Sequence, residues 1–403
     1  MEQSLLKNRS FLLVWLSGLA IMLGFSMFFL SVSWYVVDVL QRPAVLGAVL
    51  MSVSIPRVIM MIYGGILADK IRKSFIMFTT NFLQVLVMVA MIILFLGGWL
   101  DVASLIIIAL IFGFLDAFFF PAVSSMIPII VRDEQLQRAN SLFQGSTEMM
   151  FIIGPLIAGF LLTIGDFTLT FSAAAGLIAV STVLIFPPFI NDPRPKKRAG
   201  DPSALDDLKE GIAYVRHSHI HLSGTLSIVL LNLFIIGPIL ISFPILVGAL
   251  GGTPFDLSLL EAGLSLGTFS ASAAVVIWNV KRRRGQLVFA SLLAAFGFFL
   301  IFSFLETMPL LIILAALTGL VAMFVYLPTV TIVQENTDKD KLGRVMSIIT
   351  LAASGFEPIA FGLISFLVAS GLAIQTVLTL SGAAGLILSI CLIVFSPRFR
   401  KLD

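Results

Sequence analysis

The sequence predicts an all-α membrane protein with twelve transmembrane helices in two pseudo-symmetric six-helix bundles. Three observations predict it. Apolar residues make up 59% of the chain and charged residues 12%, against roughly 25% charge in a soluble domain, so lipid must be the solvent for much of the surface. The apolar residues form continuous runs of about 20, the length that crosses the hydrocarbon core as a helix. The Lys and Arg residues gather almost wholly on one set of alternate loops. Runs that are continuous rather than alternating exclude a transmembrane β-barrel.

The runs fall at 11–38, 45–68, 75–97, 102–127, 140–164, 168–189, 222–250, 257–280, 286–305, 309–333, 345–370 and 373–395. The first follows MEQSLLKNRS; it is too long for a signal-peptide core and lacks a small-residue cleavage site. It ends at Asp38 and Arg42, whose i, i+4 spacing suits a surface ion pair. The second run ends in Asp69-Lys70, and the third starts after Arg72-Lys73. GGWLD, IGDF and LETMP make tight polar turns, so the helices they join are antiparallel neighbours. KRRRG at 281–285 and the basic loop DKDKLGR separate later runs and anchor them at one face.

Of 25 Lys and Arg residues, all except Arg42 and Arg57 lie at the N-terminus, the even-to-odd loops or the C-terminus. The opposite loops carry Asp101, Asp166, Asp256 and Glu306. This asymmetry places both termini in the cytoplasm of a prokaryotic inner membrane. The single cysteine, Cys391, cannot form an internal disulfide. No phosphate-binding glycine loop, nucleophile–base set or metal cluster appears, which argues against an ATP-driven pump or a membrane enzyme. His217, His219 and His221 alternate, but on a helix that spacing fans them apart, so no metal is expected. No nucleic-acid partner is expected either; the partners are a small molecule, lipid and protons, with the chain acting as a monomer.

The one long break, 190–221, starts as a Pro- and charge-rich linker. Its second half suits a short amphipathic helix opened by Asp201-Pro202-Ser203, with Leu205, Leu208, Ile212 and Val215 on one face, lying along the inner membrane surface. The chain thus divides into a bundle at 1–190, a linker at 191–221 and a bundle at 222–403. The two bundles echo each other. PAVSSMIPIIVRDEQLQRANSLFQG followed by GPLIAG answers LPTVTIVQENTDKDKLGRVMSIITL followed by EPIAFG. Repetition on this scale is how many secondary transporters are built, with the working site at mid-membrane.

Twelve helices split six and six resemble the major facilitator superfamily. GGILADKIRK, with Gly65, Asp69, Lys70, Arg72 and Lys73, is similar to that superfamily's signature loop between helices two and three. Lys70 takes the usual arginine place, and the glycine before the basic pair is missing. With QRANSLFQG and QENTDKDKLGRVMS, the chain resembles the macrolide-efflux-like branch of drug:proton antiporters. The resemblance implies alternating access by two rocking bundles, with drug-like molecules exported in exchange for protons and no cofactor beyond the proton gradient. It also implies that Asp69 meets the start of helix eleven when the inside is closed. There a helix N-terminus favours an anion and Arg344 can add an ion pair.

Arg57 lies about twelve residues into its run, about 18 Å deep. An arginine there costs roughly 2.5–3.5 kcal/mol on insertion scales, so it should face protein and a partner. Asp116, Glu148 and Glu357 share its depth. The superfamily's architecture, which sets helix two beside helices four and eleven, implies a static pair with Asp116 or a breakable one with Glu357. One arginine cannot neutralise three acids, and an acid in low dielectric can take up and release protons near neutral pH. Glu148 is favoured as the proton site, before Asp116 and Glu357. Gly154-Pro155 and Pro358 are expected to bend their helices, the first pair resembling the family's antiporter motif. Asn81, Gln84, Gln144 and Asn232 either touch substrate or cross-link helices. Phe118 and Phe119 either line an apolar cavity or face lipid. The function expected is export of small hydrophobic or amphipathic compounds by proton antiport. The alternatives are export of an endogenous siderophore, peptide antibiotic or lipid, and a sensor that transports nothing.

Overall fold

The structure is a computed structural model that describes residues 5–192, 204–278 and 282–402, with side chains throughout except at 61–70, 204–207, 276 and 278. The described residues are helices and short connections, with no strand among them. Eleven of the helical segments are long and apolar enough to cross a membrane. The run expected at 257–280 forms a helix, Pro254–Trp278, outside those eleven; it carries Asp256, Glu261 and five Ser or Thr residues.

In chain order the helices are α1 (Arg9–Trp34), α2 (Leu46–Lys70), α3 (Lys73–Leu96), α4 (Val102–Asp116), α5 (Phe119–Ile130), α6 (Asp133–Ile164) and α7 (Phe167–Leu184). Next come α8 (Ala204–His217), α9 (His219–Leu231), α10 (Gly237–Ala249), α11 (Pro254–Trp278), α12 (Arg284–Phe302) and α13 (Met308–Glu335). The chain closes with α14 (Leu342–Ser354), α15 (Glu357–Ala369), α16 (Ile374–Phe395) and the short α17 (Pro397–Arg400). Two expected spans are broken. α4 and α5 are separated at Ala117-Phe118, a turn before Pro121, whose ring and missing N–H disturb the preceding turn. α14 and α15 are separated at Gly355-Phe356, just before Pro358.

The chain divides into two compact units. Unit 1 comprises Met1–Arg42, Ala48–Asp201 and Thr253–Ser258; unit 2 comprises Pro43–Gly47, Pro202–Gly252 and Leu259–Asp403. In unit 1, α1 is apolar on every side, as a helix surrounded by other helices must be. Its span is 61% buried, whereas that of α3 is 28% buried and leaves most of its surface to lipid. Close approach to α7 requires Gly24, where a Cβ would sit 3.0 Å from the Ala174 carbonyl. A buried polar knot ties three helices together. Ser17 and Ser181 share a 2.7 Å hydrogen bond, and Asn81 Nδ2 donates to Ser181 Oγ at 2.9 Å.

In unit 2 the span His219–Ala249 is equally buried at 61%. It contains a π-helical turn over Asn232–Ile236 ahead of Gly237-Pro238, and Ser381 Oγ on α16 donates to the Phe234 carbonyl there. α8 forms where the linker pattern predicts a helix, and part of its apolar side packs on protein. Val215 joins a buried cluster with Ile228, Val333, Val345, Ile348, Ile349 and Ala352, and Leu208 packs on it. Gly211 brings α8 within 2.9 Å of the Arg344 carbonyl for an added Cβ, while Ile212 stays exposed. Leu205 and the opening Asp201-Pro202-Ser203 lie outside the described side chains.

Candidate functional site

The in-span charges of unit 1 meet where α2 crosses α4. Gly113 makes the crossing possible, since any Cβ there would run into the Val53 carbonyl. Arg57 is one turn beyond Val53 and Asp116 one turn beyond Gly113, so the close contact sets the two charges side by side. Arg57 Nε lies 3.2 Å from Asp116 Oδ2, with the side chains 36% and 2% exposed respectively. That oxygen accepts no aligned hydrogen bond, so the contact is chiefly Coulombic. The guanidinium also sits 5.7 Å from the Phe25 ring centroid, next to the Phe28–Phe112 stack. Of the two partners open to Arg57, the structure places Asp116 against it.

Glu148 is half-buried on α6, where Gln144 Nε2 donates to its Oε1 at 3.1 Å. Gln144 is thereby committed to the acid one turn along its own helix. Glu357, also half-buried, opens α15 immediately after the break. A carboxylate in a helix's first turn is stabilised by the partial positive charge there. Pro358 follows that interruption as expected. At Gly154-Pro155, by contrast, α6 runs unbroken from 133 to 164. Gly154 there presses on Ser26 of α1, and that packing holds the helix through the single hydrogen bond that proline removes.

The remaining sequence candidates scatter. Asn81 is committed to the Ser17–Ser181 knot, Gln84 is buried on α3, and Asn232 Nδ2 donates to the Ile228 carbonyl at 3.0 Å. Phe119 is 1% exposed and Phe118 9% exposed, so both are packed within protein rather than laid against lipid. Gly65, Asp69 and Lys70 fall in the stretch whose side chains lie outside those described. Arg72 is exposed and Lys73 buried. Arg344, the residue considered as a partner for Asp69, is held by Glu210 on α8, with Nη1 to Oε2 at 2.6 Å. A cavity of about 500 Å³ adjoins this pair. Its Lys341 lies 5.0 Å from the Tyr214 ring, so its cations face an acid and an aromatic face.

Three functional candidates escaped the sequence reading. Asp192, read as linker, accepts from Ser74 N and Oγ at 2.8 and 2.9 Å and so caps the start of α3 beside the signature loop. Glu210 was one acid in a mixed-charge helix. Glu261 lies at the edge of its apolar run, yet the helix starts at Pro254 and places it two turns in. Scanning every run for acids, ends included, finds it.

Apolar helices of spanning length, buried central helices and a few charges held inside the spans make up the architecture of a multi-pass membrane transporter. The chain belongs to the Major Facilitator Superfamily, whose profile matches residues 14–279. It is 26% identical to Macrolide efflux protein A of Streptococcus pyogenes over 306 residues, 71% of each chain. It is 25% identical to Macrolide efflux protein A of Enterococcus faecalis over 248 residues, 58% of this chain and 72% of that one. These relatives support the macrolide-efflux-like branch. Among solved structures, a variant of the nucleoside transporter NupG superposes with a TM-score of 0.75 at 13% identity, covering 95% of this chain and 99% of that one. The protein is a transporter and not an enzyme.

Proposed function

We propose that this protein exports small hydrophobic or amphipathic compounds in exchange for protons, by alternating access of two six-helix bundles. The twelfth span in this reading is α11. Both termini lie in the cytoplasm of a bacterial inner membrane, the linker over 191–221 joins bundles at 1–190 and 222–403, and the chain works as a monomer. Export is supported by the likeness to macrolide efflux proteins and by the apolar character of the interior. Proton coupling is supported by one observation above the others: Arg57 is matched by Asp116, while among the described residues Glu148 is hydrogen-bonded to a neutral amide alone. A carboxyl at that depth without a cation is costly as an anion and suited to carrying a proton.

Energy sets the scale. One proton crossing 100 mV supplies about 2.3 kcal/mol, enough for roughly a fifty-fold gradient of a neutral solute. One exchanging acid is therefore sufficient to drive export. The Arg57–Asp116 pair holds α2 to α4, and Asp69 with the basic residues after it serves as the cytoplasmic gate.

The test is flux in proteoliposomes. An imposed pH gradient should drive uptake of a fluorescent lipophilic dye by inside-out transporters, and Glu148→Gln should remove the dependence on the gradient. Gradient-driven uptake that persists in Glu148→Gln and fails in Asp116→Asn would move the proton site to Asp116 and keep the class. No gradient-driven uptake of any dye or drug by the unaltered protein would end the antiport reading.

A further inference from the structure

Unit 2 holds an acid that the mechanism above does not use. Glu261 sits on α11, half-buried, with no hydrogen bond or ion pair to any described residue. The other in-span acids of known contact differ: Asp116 faces Arg57 and Glu148 faces Gln144.

The face of α11 that carries Glu261 is polar along its length. Ser258, Glu261, Ser265, Thr268 and Ser272 recur at steps of three and four residues, which at about 100° per residue puts them within one narrow stripe. The opposite face is the packing face. There Gly267 meets the Ala316 carbonyl of α13, and Gly263 meets Ile312 of the same helix. Glu261 and the hydroxyls thus point away from α13. Ser258 is fully buried, while Ser265, Thr268 and Ser272 are half-buried. Thr268 donates to the Ser265 carbonyl at 2.8 Å and Ser272 to the Thr268 carbonyl at 2.9 Å. These bonds leave the hydroxyl oxygens able to accept from water. A lipid-facing stripe has no reason to be hydroxyl-rich; a hydrated one does.

Among the described residues, no ion pair engages Glu261. Asp256, on the same helix, accepts from Thr253 N and Oγ1 at 2.8 and 2.7 Å. On α13 the ionisable groups are Tyr326 and Glu335, and Glu335 is gripped by Arg284 at 2.6 and 3.0 Å. On α6, which meets Ser258 through Gly159, the ionisable groups are Asp133, Glu134, Arg138 and Glu148. The nearest of these along the helix, Glu148, is three turns from Gly159, about 16 Å.

We propose that Glu261 is a second proton-binding carboxyl of the transport cycle, reached by water along the Ser265–Thr268–Ser272 stripe. The proposal rests on the proton-antiport reading. Its chemistry is a single reversible transfer in which the carboxylate takes one proton and returns it, with no co-reactant.

Two measurements test it. In proteoliposomes, Glu261→Gln should reduce pH-gradient-driven dye uptake about tenfold or more, yet keep dye counterflow, which needs no net proton movement, within about twofold of the unaltered protein. Glu261→Asp should restore part of the driven uptake. In detergent, infrared difference spectra between acid and alkaline pH should show a protonated-carboxyl band that Glu261→Gln removes and Glu148→Gln leaves in place. Unchanged driven uptake in Glu261→Gln, or an unchanged band, overturns the proposal. Loss of counterflow together with driven uptake, the band being unaffected, would make Glu261 a contact for a cationic substrate instead. If the unaltered protein shows no driven uptake at all, the antiport reading fails by itself, and the infrared band alone still decides whether Glu261 exchanges a proton.

Discussion

Helices α2 and α11 each carry a charge within a largely apolar sequence, and the two regions handle it in opposite ways. On α2 the charge is Arg57, matched by Asp116 on α4 at 3.2 Å. On α11 it is Glu261, and α13 offers no cation at all. The scaffold beneath is the same in both. Each meets a later helix through glycine, α2 meeting α4 at Gly113 against Val53 in unit 1 and α11 meeting α13 at Gly267 against Ala316 in unit 2. What differs is the electrostatics placed on a common crossing. A matched pair locks two helices, whereas an unmatched acid can change its charge without breaking a contact.

That contrast gives the largest expected effect. Asp116→Ala leaves Arg57 without its countercharge and should cost roughly 2–3 kcal/mol, at the low end for a broken buried pair because Arg57 is partly exposed. Chemical unfolding in detergent would measure it. The double variant Arg57→Met with Asp116→Leu should recover more than half of the loss. Glu261→Gln, with no partner to lose, should lie within about 0.5 kcal/mol of the unaltered protein. Equal losses at Asp116 and Glu261 would erase the distinction between the two units.

The shared crossing gives the next. Gly113→Ala and Gly267→Ala each force a methyl group onto a facing carbonyl and should cost about 1–3 kcal/mol. Gly297→Ala on α12, where nothing lies within 4 Å of an added Cβ, should be neutral or stabilise by about 0.5–1 kcal/mol through helix propensity. If only one of the two crossing glycines is sensitive, the scaffold is less symmetric than its contacts indicate.

The halves also trade the position of their helix break. In unit 1 the fourth run breaks, at Ala117-Phe118, and α6 passes unbroken through Pro155. In unit 2 the fourth run, α13, passes unbroken through Pro328, and the fifth breaks at Gly355-Phe356. Bends were expected only at Gly154-Pro155 and Pro358, so the break ahead of Pro121 was not among the candidates. Gly154 packed on Ser26 shows what the sequence leaves open: tertiary contact decides whether a proline's lost hydrogen bond opens the helix.

Eleven of the expected runs coincide with helical segments long and apolar enough to cross a membrane, most ends falling within about three residues, because run length against membrane thickness is a strong constraint. α7 ends five residues early, at Leu184. The largest departure is α6, which begins at Asp133 rather than near 140. Hydropathy is blind to DEQLQRAN, yet its two acids in the first turn and its lack of Gly or Pro favour helix. Of the candidate site, the need of Arg57 for a partner was legible because a cation in hydrocarbon demands one, while the choice of Asp116 over Glu357 was left to the packing of α2 on α4. Glu261 was not legible, since an acid one turn inside an apolar run resembles an end cap until the helix is seen to start at Pro254. The Arg344–Glu210 pair was hidden for another reason: it depends on how a linker helix folds back, which no periodicity encodes.

The smallest effect separates the helix starts of the two units. Asp101 caps α4 with a full capping box, accepting from Ser104 N at 2.9 Å while Ser104 Oγ receives the Asp101 N–H. At the matching place in unit 2, Thr307 precedes α13 with no side-chain cap bond. The Ser104 hydrogen bonds, backbone first, hold the Asp101 carboxyl below its ordinary range. A carboxyl lowered in the folded state stabilises the fold above its unfolded value, about 3.9 for aspartate, and the contribution fades as pH falls through the lower folded value. Asp101→Ala should therefore lower Tm at pH 7, and the gap to the unaltered protein should close as the pH drops below about 4. Thr307→Ala should leave Tm unchanged at either pH. A gap at Asp101 that stays constant across that window would mean that the helix start is held by backbone geometry and not by the ionised cap.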